Sequence, residues 1–356
     1  MTDSRSQAYM AQALELAQKG RDTVSPNPMV GCLLVKKDQV IGQGWHRRAG
    51  EPHAEMMALR EAGTAAIGAT AYVTLEPCCH FGRTPPCIDA LIQAGVTAVY
   101  LACLDPNPLV AGKGMQALQA AGLEVKAGLL EVEAKQLNEV FFHYIQKRRP
   151  FVLAKWAMSL DGRTTTHPDD SRQISCPESH QHTHHIRRQV DAILVGAQTA
   201  IHDNPQLTAR APPGEPVPVK QPLRIVLSSK GNLPLQLKLF DGSLPGKTLV
   251  ATTAAADSVW CRALEDRQVE VLRLPHNEKG QVVLPALLDQ LGQRAITSLL
   301  VEGGGCVHAS FFEEGLVNKI QVYLAPVVIG SLKQKQFLSR VEVSQLGQDY
   351  AFSVNL

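Results

Sequence analysis

Gly50-Glu51-Pro52-His53-Ala54-Glu55 and Glu76-Pro77-Cys78-Cys79-His80-Phe81-Gly82-Arg83-Thr84-Pro85-Pro86-Cys87 decide how the first half of this chain folds. One imidazole, His53, and two thiolates, Cys78 and Cys87, make three borderline-to-soft ligands. A catalytic zinc takes such a set when its fourth position stays open for water. Glu55 stands two residues past the histidine, near enough to reach that water without ligating the metal. Cys79 is the alternative to Cys78, which is preferred because it directly follows the turn-setting Pro77. A lone cysteine, such as Cys103 or Cys261, reads as a small core hydrophobe. Here ligands and acid/base group occur together, so the expectation is one Zn2+ per chain.

His-x-Glu followed by Pro-Cys is the pattern of zinc nucleobase deaminases. The departure is in the spacing, with eight residues between the ligand cysteines where two are usual. The chain's balance limits what it acts on. With 356 residues, two domains are the default, and 45% hydrophobic content supports filled cores. A net charge of +2 and 5% aromatics do not suit a deaminase of nucleic acid, which needs a basic stripe and stacking platforms. Eight cysteines without paired spacing read as reduced thiols plus a metal site. No apolar leader and no apolar run of membrane-spanning length is present, so a cytoplasmic protein without membrane partners is expected.

Taken in order, residues 5–19 predict a helix from the stripe Tyr9, Met10, Ala13, Leu14 and Ala17. A hairpin over 30–44 turns at Lys37-Asp38. A helix over 53–62 is closed by Gly63, and a strand over 69–75 leads into Pro77-Cys78. Asn27, in the turn Ser25-Pro26-Asn27-Pro28, suits either an Asx turn or an amide that reads a pyrimidine edge. A helix from Cys87 and others over 114–121 and 131–147 alternate with strands over 96–103 and 123–126. That alternation predicts a parallel or mixed sheet covered on both faces. Arg148-Arg149-Pro150 marks the boundary between domains at 1–147 and 150–356.

The second half opens with an apolar strand, 151–157, in which Lys155 is out of place unless it serves a site. Ser175-x-x-Glu178 predicts a capping box for a helix through 190. His180, His182, His184 and His185 on that helix are expected to be solvated. Further strands are expected over 192–196, 223–227, 247–253, 268–272 and 298–301, with a helix over 284–291. Glu302-Gly303-Gly304-Gly305 ends the last strand ahead of a helix, a nest suited to phosphate.

The chain as a whole resembles the bifunctional pyrimidine deaminase/reductase family of riboflavin biosynthesis. The resemblance rests on Asn27-Pro28-x-Val30-Gly31, Gly50-Glu51-x-His53-Ala54-Glu55, the Glu76-to-Cys87 motif and Asp105-Pro106-Asn107-Pro108. Further on it rests on Ser159-Leu160-Asp161-Gly162, Asp203-Asn204-Pro205 and Val301-Glu302-Gly303-Gly304. It implies a cytidine-deaminase-like three-layer α/β/α domain followed by a dihydrofolate-reductase-like α/β domain. It also implies zinc-dependent deamination of 2,5-diamino-6-(5-phosphoribosylamino)pyrimidin-4(3H)-one, then NADPH-dependent reduction of the ribosyl group of the product. Asn27, His46, His80, Arg83 and Asn107 would hold the first substrate. Ser171, Arg187, Leu207, Arg210 and Glu302 would hold the second, with Lys155 and Glu302 at the reacting end. Ala157, Gln173, Thr199, Asp203, Ser229, Gly304 and Gly305 would meet NADPH. Gln173 stands where members usually carry tryptophan against the nicotinamide. Homodimers or homotetramers are implied as well.

Overall fold

The computed structural model describes residues 4–79, 86–108, 110–166, 174–211, 220–330, 336–338, 341–346 and 349–353. His80, Arg83, Ser171 and Gln173, expected at the two sites, lie outside them. The chain forms two compact units. One comprises Met1–Phe151 with Leu288–Thr297, and the other Val152–Leu287 with Ser298–Leu356.

In the first unit, α1 (Ser4–Gln18) buries Met10, Ala13, Leu14 and Ala17 as its periodicity predicts. Strands β1 (Gly31–Lys36) and β2 (Gln39–Trp45) form the expected antiparallel hairpin. Lys37 and Asp38 between them both have φ positive, 49° and 60°, the twist that a two-residue hairpin turn requires. Next come α2 (Ala54–Ala62), β3 (Thr70–Val73), α3 (Cys87–Gln93), β4 (Ala98–Leu101), α4 (Lys113–Ala120) and β5 (Glu124–Ala127). The sheet order is β2-β1-β3-β4-β5. β1 is antiparallel to both its neighbours, while β3, β4 and β5 run parallel. One core cluster, with Leu34, Ala58, Val73, Leu91 and Val99, packs α2 and α3 on one face; another, with Met10, Leu33 and Tyr72, packs α1 on the other.

The helix expected over 131–147 is two helices, α5 (Glu131–Leu137) and α6 (Glu139–Lys147). Asn138 separates them, at φ −106° and ψ 22°. Its buried amide ties this point to the chain ahead of β1: Oδ1 accepts from the Met29 N–H and Nδ2 donates to the Met29 carbonyl, each at 2.8 Å.

The second unit contains β6 (Phe151–Ser159), α7 (Pro177–Gln189), β7 (Ala192–Gly196), α8 (Ala197–Asp203), β8 (Leu223–Leu227), β9 (Thr248–Thr252), α9 (Ser258–Glu265) and β10 (Glu270–Arg273). Then follow α10 (Leu284–Gln293), whose last residues count with the first unit, β11 (Ser298–Gly303), α11 (Gly305–Glu313) and β12 (Lys319–Ala325). These strands form a seven-stranded sheet in the order β10-β9-β8-β7-β11-β6-β12. Ile193, Val195, Val226, Val250 and Leu300 from its central strands build the core. α8, α9 and β12 have no counterpart in the sequence reading. The expected capping box does not form: the N-cap of α7 is Cys176, without a side-chain cap bond, and Pro177 opens the helix. Proline suits that place because its missing N–H would be unsatisfied anyway.

Candidate active sites

His53 is the N-cap of α2, so its ring stands at the helix entrance and Glu55 lies in the first turn. Cys87 is the first residue of α3, and Cys78 sits in the turn after β3, not at a helix N-terminus. The Nδ1 of His53 lies 3.1 Å from Cys87 Sγ and 3.6 Å from Cys78 Sγ. All three donor atoms fall within 4.8 Å of one another. Tetrahedral Zn–N and Zn–S bonds of ordinary length set a nitrogen and a sulfur about 3.6 Å apart, so the donor set fits zinc in both chemistry and spacing. Cys78, not Cys79, is the residue that joins His53 and Cys87 in this group. The two thiols are coupled. Hydrogen bonding from Cys87 and from the His53 ring holds the Cys78 thiol down, and the same contact pushes Cys87 up.

Glu55 is buried, and its Oε2 has no hydrogen-bond partner among the described residues. Burial raises its pKa, as desolvation does for any carboxyl. Such a group is poised to exchange protons. Above it opens a cavity of about 470 Å3 lined by Asn27, His46, Glu55, Cys78 and Asn107. Asn27 Nδ2 lies 3.0 Å from His46 Nε2, and His46 Nδ1 lies 3.3 Å from the Pro52 carbonyl. An amide can only donate through its nitrogen, so His46 accepts at Nε2 and donates at Nδ1. Burial, which lowers its pKa, keeps it in that neutral form.

Four residues of this site carry no local signature in the sequence. Phe141, Tyr144 and Ile145 of α6 complete the cavity wall. The Tyr144 hydroxyl donates to the Gly292 carbonyl at 3.0 Å. Glu76, buried, accepts from the backbone N–H groups of Asp105, Gly112 and Met115 at 3.2, 2.9 and 3.0 Å. It thus fixes the loop that carries Asn107. Glu76 belongs to the quoted motif, but nothing local in it reveals this distant role.

In the second unit, Arg187 of α7 grips Glu302 of β11 with both arms: Nε to Oε1 at 2.6 Å and Nη2 to Oε2 at 2.9 Å. Its Nη1 donates to the Thr208 carbonyl at 3.3 Å. Lys155 Nζ lies 3.9 Å from Glu302 and 5.3 Å from the centre of the Tyr323 ring. Burial lowers the Lys155 pKa. For Glu302 burial pushes up, but Arg187 and Lys155 win and the carboxyl is held below its usual range. Leu207 is buried yet has φ 51°, a strained state for a bulky residue and one found at ligand clamps. Arg210 is exposed and bonded to Gln206. The helix histidines divide: His180, His182 and His185 are exposed as expected. His184 is half-buried. It faces Arg187, Arg210 and Glu302.

A second hollow of about 530 Å3 brings together Thr199, Ser229, Gly304 and Gly305. Ala157, on β6, and Asp203, exposed at the end of α8, are not among its lining residues. Gly304 has φ 81° and caps α11. A side chain at Gly303 would meet the Thr199 side chain at 2.9 Å. The first amides of α11 have no acceptor within the helix, so this cradle fits a dinucleotide diphosphate.

Comparisons with known proteins agree with this division. Residues 3–103 match the cytidine and deoxycytidylate deaminase zinc-binding region, and residues 150–353 match the RibD C-terminal domain. The chain is 42% identical over 352 residues to the riboflavin biosynthesis protein RibD of Aquifex aeolicus, covering 96% of each. To the Escherichia coli RibD it is 43% identical over 331 residues, 91% of this chain and 88% of that one. Among solved structures, Acinetobacter baumannii RibD superposes with a TM-score of 0.82 at 39% identity, over 98% of both chains. A diaminohydroxyphosphoribosylaminopyrimidine deaminase/5-amino-6-(5-phosphoribosylamino)uracil reductase from Thermotoga maritima gives 0.79 at 34%, over 98% of this chain and 97% of that one. A cytidine-deaminase-like zinc unit joined to a RibD-type reductase unit, matched over nearly its whole length, places the chain in the RibD family of bifunctional riboflavin biosynthesis enzymes.

Proposed function

We propose that the chain carries out two consecutive reactions on one pyrimidine ribotide. The first unit hydrolyses the 2-amino group of 2,5-diamino-6-(5-phosphoribosylamino)pyrimidin-4(3H)-one. The second reduces the ribosyl group of 5-amino-6-(5-phosphoribosylamino)uracil to ribityl with NADPH. What carries the first half is the placement of an orphaned carboxylate oxygen, Glu55 Oε2, beside three zinc donors on the wall of a cavity.

Zinc, held by His53, Cys78 and Cys87, would supply Lewis acidity that lowers the pKa of water from 15.7 toward about 7. Glu55 takes the proton of the attacking water and passes protons to the ring nitrogen and to the departing amine. Its raised pKa lets it hold a proton between those two acts. Asn27 Oδ1 and Asn107 orient the ring, and Glu76 keeps Asn107 in place. By the family pattern, Arg83 and His80 hold the ribose phosphate and base.

In the second unit, NADPH would supply the hydride for C1′ of the opened sugar, its diphosphate resting on Gly304 and Gly305. Lys155, whose charge burial disfavours, delivers a proton to the sugar, while Glu302 and Arg187 fix its position. The phosphate falls to Arg210 and to the two N–H groups of Arg187 not engaged with Glu302 and Thr208. A homodimer or homotetramer follows from the same reading.

The test is a coupled assay on the purified chain with the diaminopyrimidine ribotide, following ammonia and then NADPH. Release of ammonia followed by NADPH oxidation supports both halves. Ammonia without NADPH oxidation refutes the second half alone, and no ammonia refutes the first.

A further inference from the structure

His184 is the one histidine of α7 turned inward, and its Nδ1 is buried with no partner among the described residues. One turn further along the helix, Arg187 Nη1 donates to the Thr208 carbonyl at 3.3 Å. Thr208 directly follows Leu207, whose φ is 51°. A buried ring nitrogen without a partner is costly, and native proteins keep such groups where a ligand satisfies them.

The charges around the ring say what that ligand is. Arg187 faces it from its own helix, Arg210 from the segment after α8 and Glu302 from β11. Lys155 of β6 lies beyond Glu302, and Tyr323 of β12 meets the neighbouring His182 and Thr183, at 2.7 and 3.5 Å. Cations outnumber the single carboxylate, which complements a phosphate monoester.

We propose that His184 is a further substrate-positioning residue of the reductase site, its Nδ1 meeting the phosphorylated end of the sugar and taking up a proton as the phosphate binds. The inference rests on the reductase reading above. In the free protein, burial first and then Arg187 and Arg210 push the imidazole down to about 4. It is therefore neutral at pH 7, with one nitrogen available as an acceptor. A bound phosphate dianion offsets the two arginines and favours the imidazolium, which then donates a charge-assisted hydrogen bond.

The experiment compares the wild-type chain with H184Q and H184A. Titration calorimetry with the uracil ribotide at pH 6.5, in buffers of different ionisation enthalpy, reads the protons taken up. The expected result is net uptake by the wild type that is lost in both variants. The ribotide KM should rise roughly ten-fold or more, as loss of one charged hydrogen bond implies. The H184Q kcat and the NADPH Kd should stay within about two-fold. Wild-type uptake and KM retained in H184Q and H184A would overturn the inference while the reductase reading stands. Failure of the wild type to bind NADPH and oxidise it with the ribotide would overturn both.

Discussion

Replacing Asn138 by alanine removes a clamp that joins the α5–α6 break to the loop carrying Asn27. Both polar ends of the side chain are used, each in a 2.8 Å bond to the Met29 backbone. Each bond is worth about 1 kcal/mol net, and leaving a Met29 group dry and unpaired adds to that. The expected destabilisation of the first unit is therefore about 2–4 kcal/mol. For a unit of this size that lowers its melting temperature by about 4–16 °C. Asn138→Asp should be no milder, because a carboxylate still accepts from the Met29 N–H but faces the Met29 carbonyl with no proton to give. A two-unit chain need not melt in one step, so the local readout is hydrogen exchange across residues 24–36, where protection should fall. The ribotide KM for ammonia release should rise, because Asn27 and the α6 wall lose their common anchor, while NADPH oxidation on the preformed uracil substrate stays normal. Unchanged protection, melting and KM in N138A would refute the clamp.

The other predictions concern the two chemistries. Glu55→Gln should cut ammonia release by about 10²–10⁴ with zinc content by mass spectrometry unchanged; a zinc-free variant would instead mean that Glu55 is needed to build the metal site. Cys87→Ser, or a strong chelator, should abolish both bound zinc and ammonia release but leave the reductase step intact, read as NADPH oxidation on the uracil ribotide. For Glu302, the folded-state pKa is held below its unfolded value by Arg187 and Lys155. Its contribution to stability is thus complete above the unfolded carboxyl value, about 4.3, and is lost as pH falls through the lower folded value. A thermal scan from pH 6 down to 3 should show the second unit losing stability on the acid side, and E302Q should flatten that slope. An equally steep slope in E302Q would place the acid sensitivity elsewhere.

What the sequence disclosed about the sites was the chemistry carried by contiguous residues. The zinc donors were legible because His53 and Cys87 begin helices and Cys78 follows a proline, so neighbours in sequence determine where they point. Turn residues such as Lys37-Asp38 and the cap at Gly63 were legible for the same local reason. Asn138, Glu76 and Tyr144 were not, because each acts on a backbone group far away in the chain: Met29, the 105–115 loop and Gly292. Nothing in a helical stretch such as Asn138-Glu139-Val140 announces that its amide is needed elsewhere. His184 is a different case, since the signal was present. Four histidines on one helix cannot share a face, so each must be placed against a reference, and Arg187 provides one. Residues three apart on a helix lie side by side, which sets His184 beside Arg187 and leaves His182 and His185 further round the helix. With Arg187 proposed at the site, the histidine one turn before it becomes a candidate as well, and its Nδ1 is buried and unpaired among the described residues.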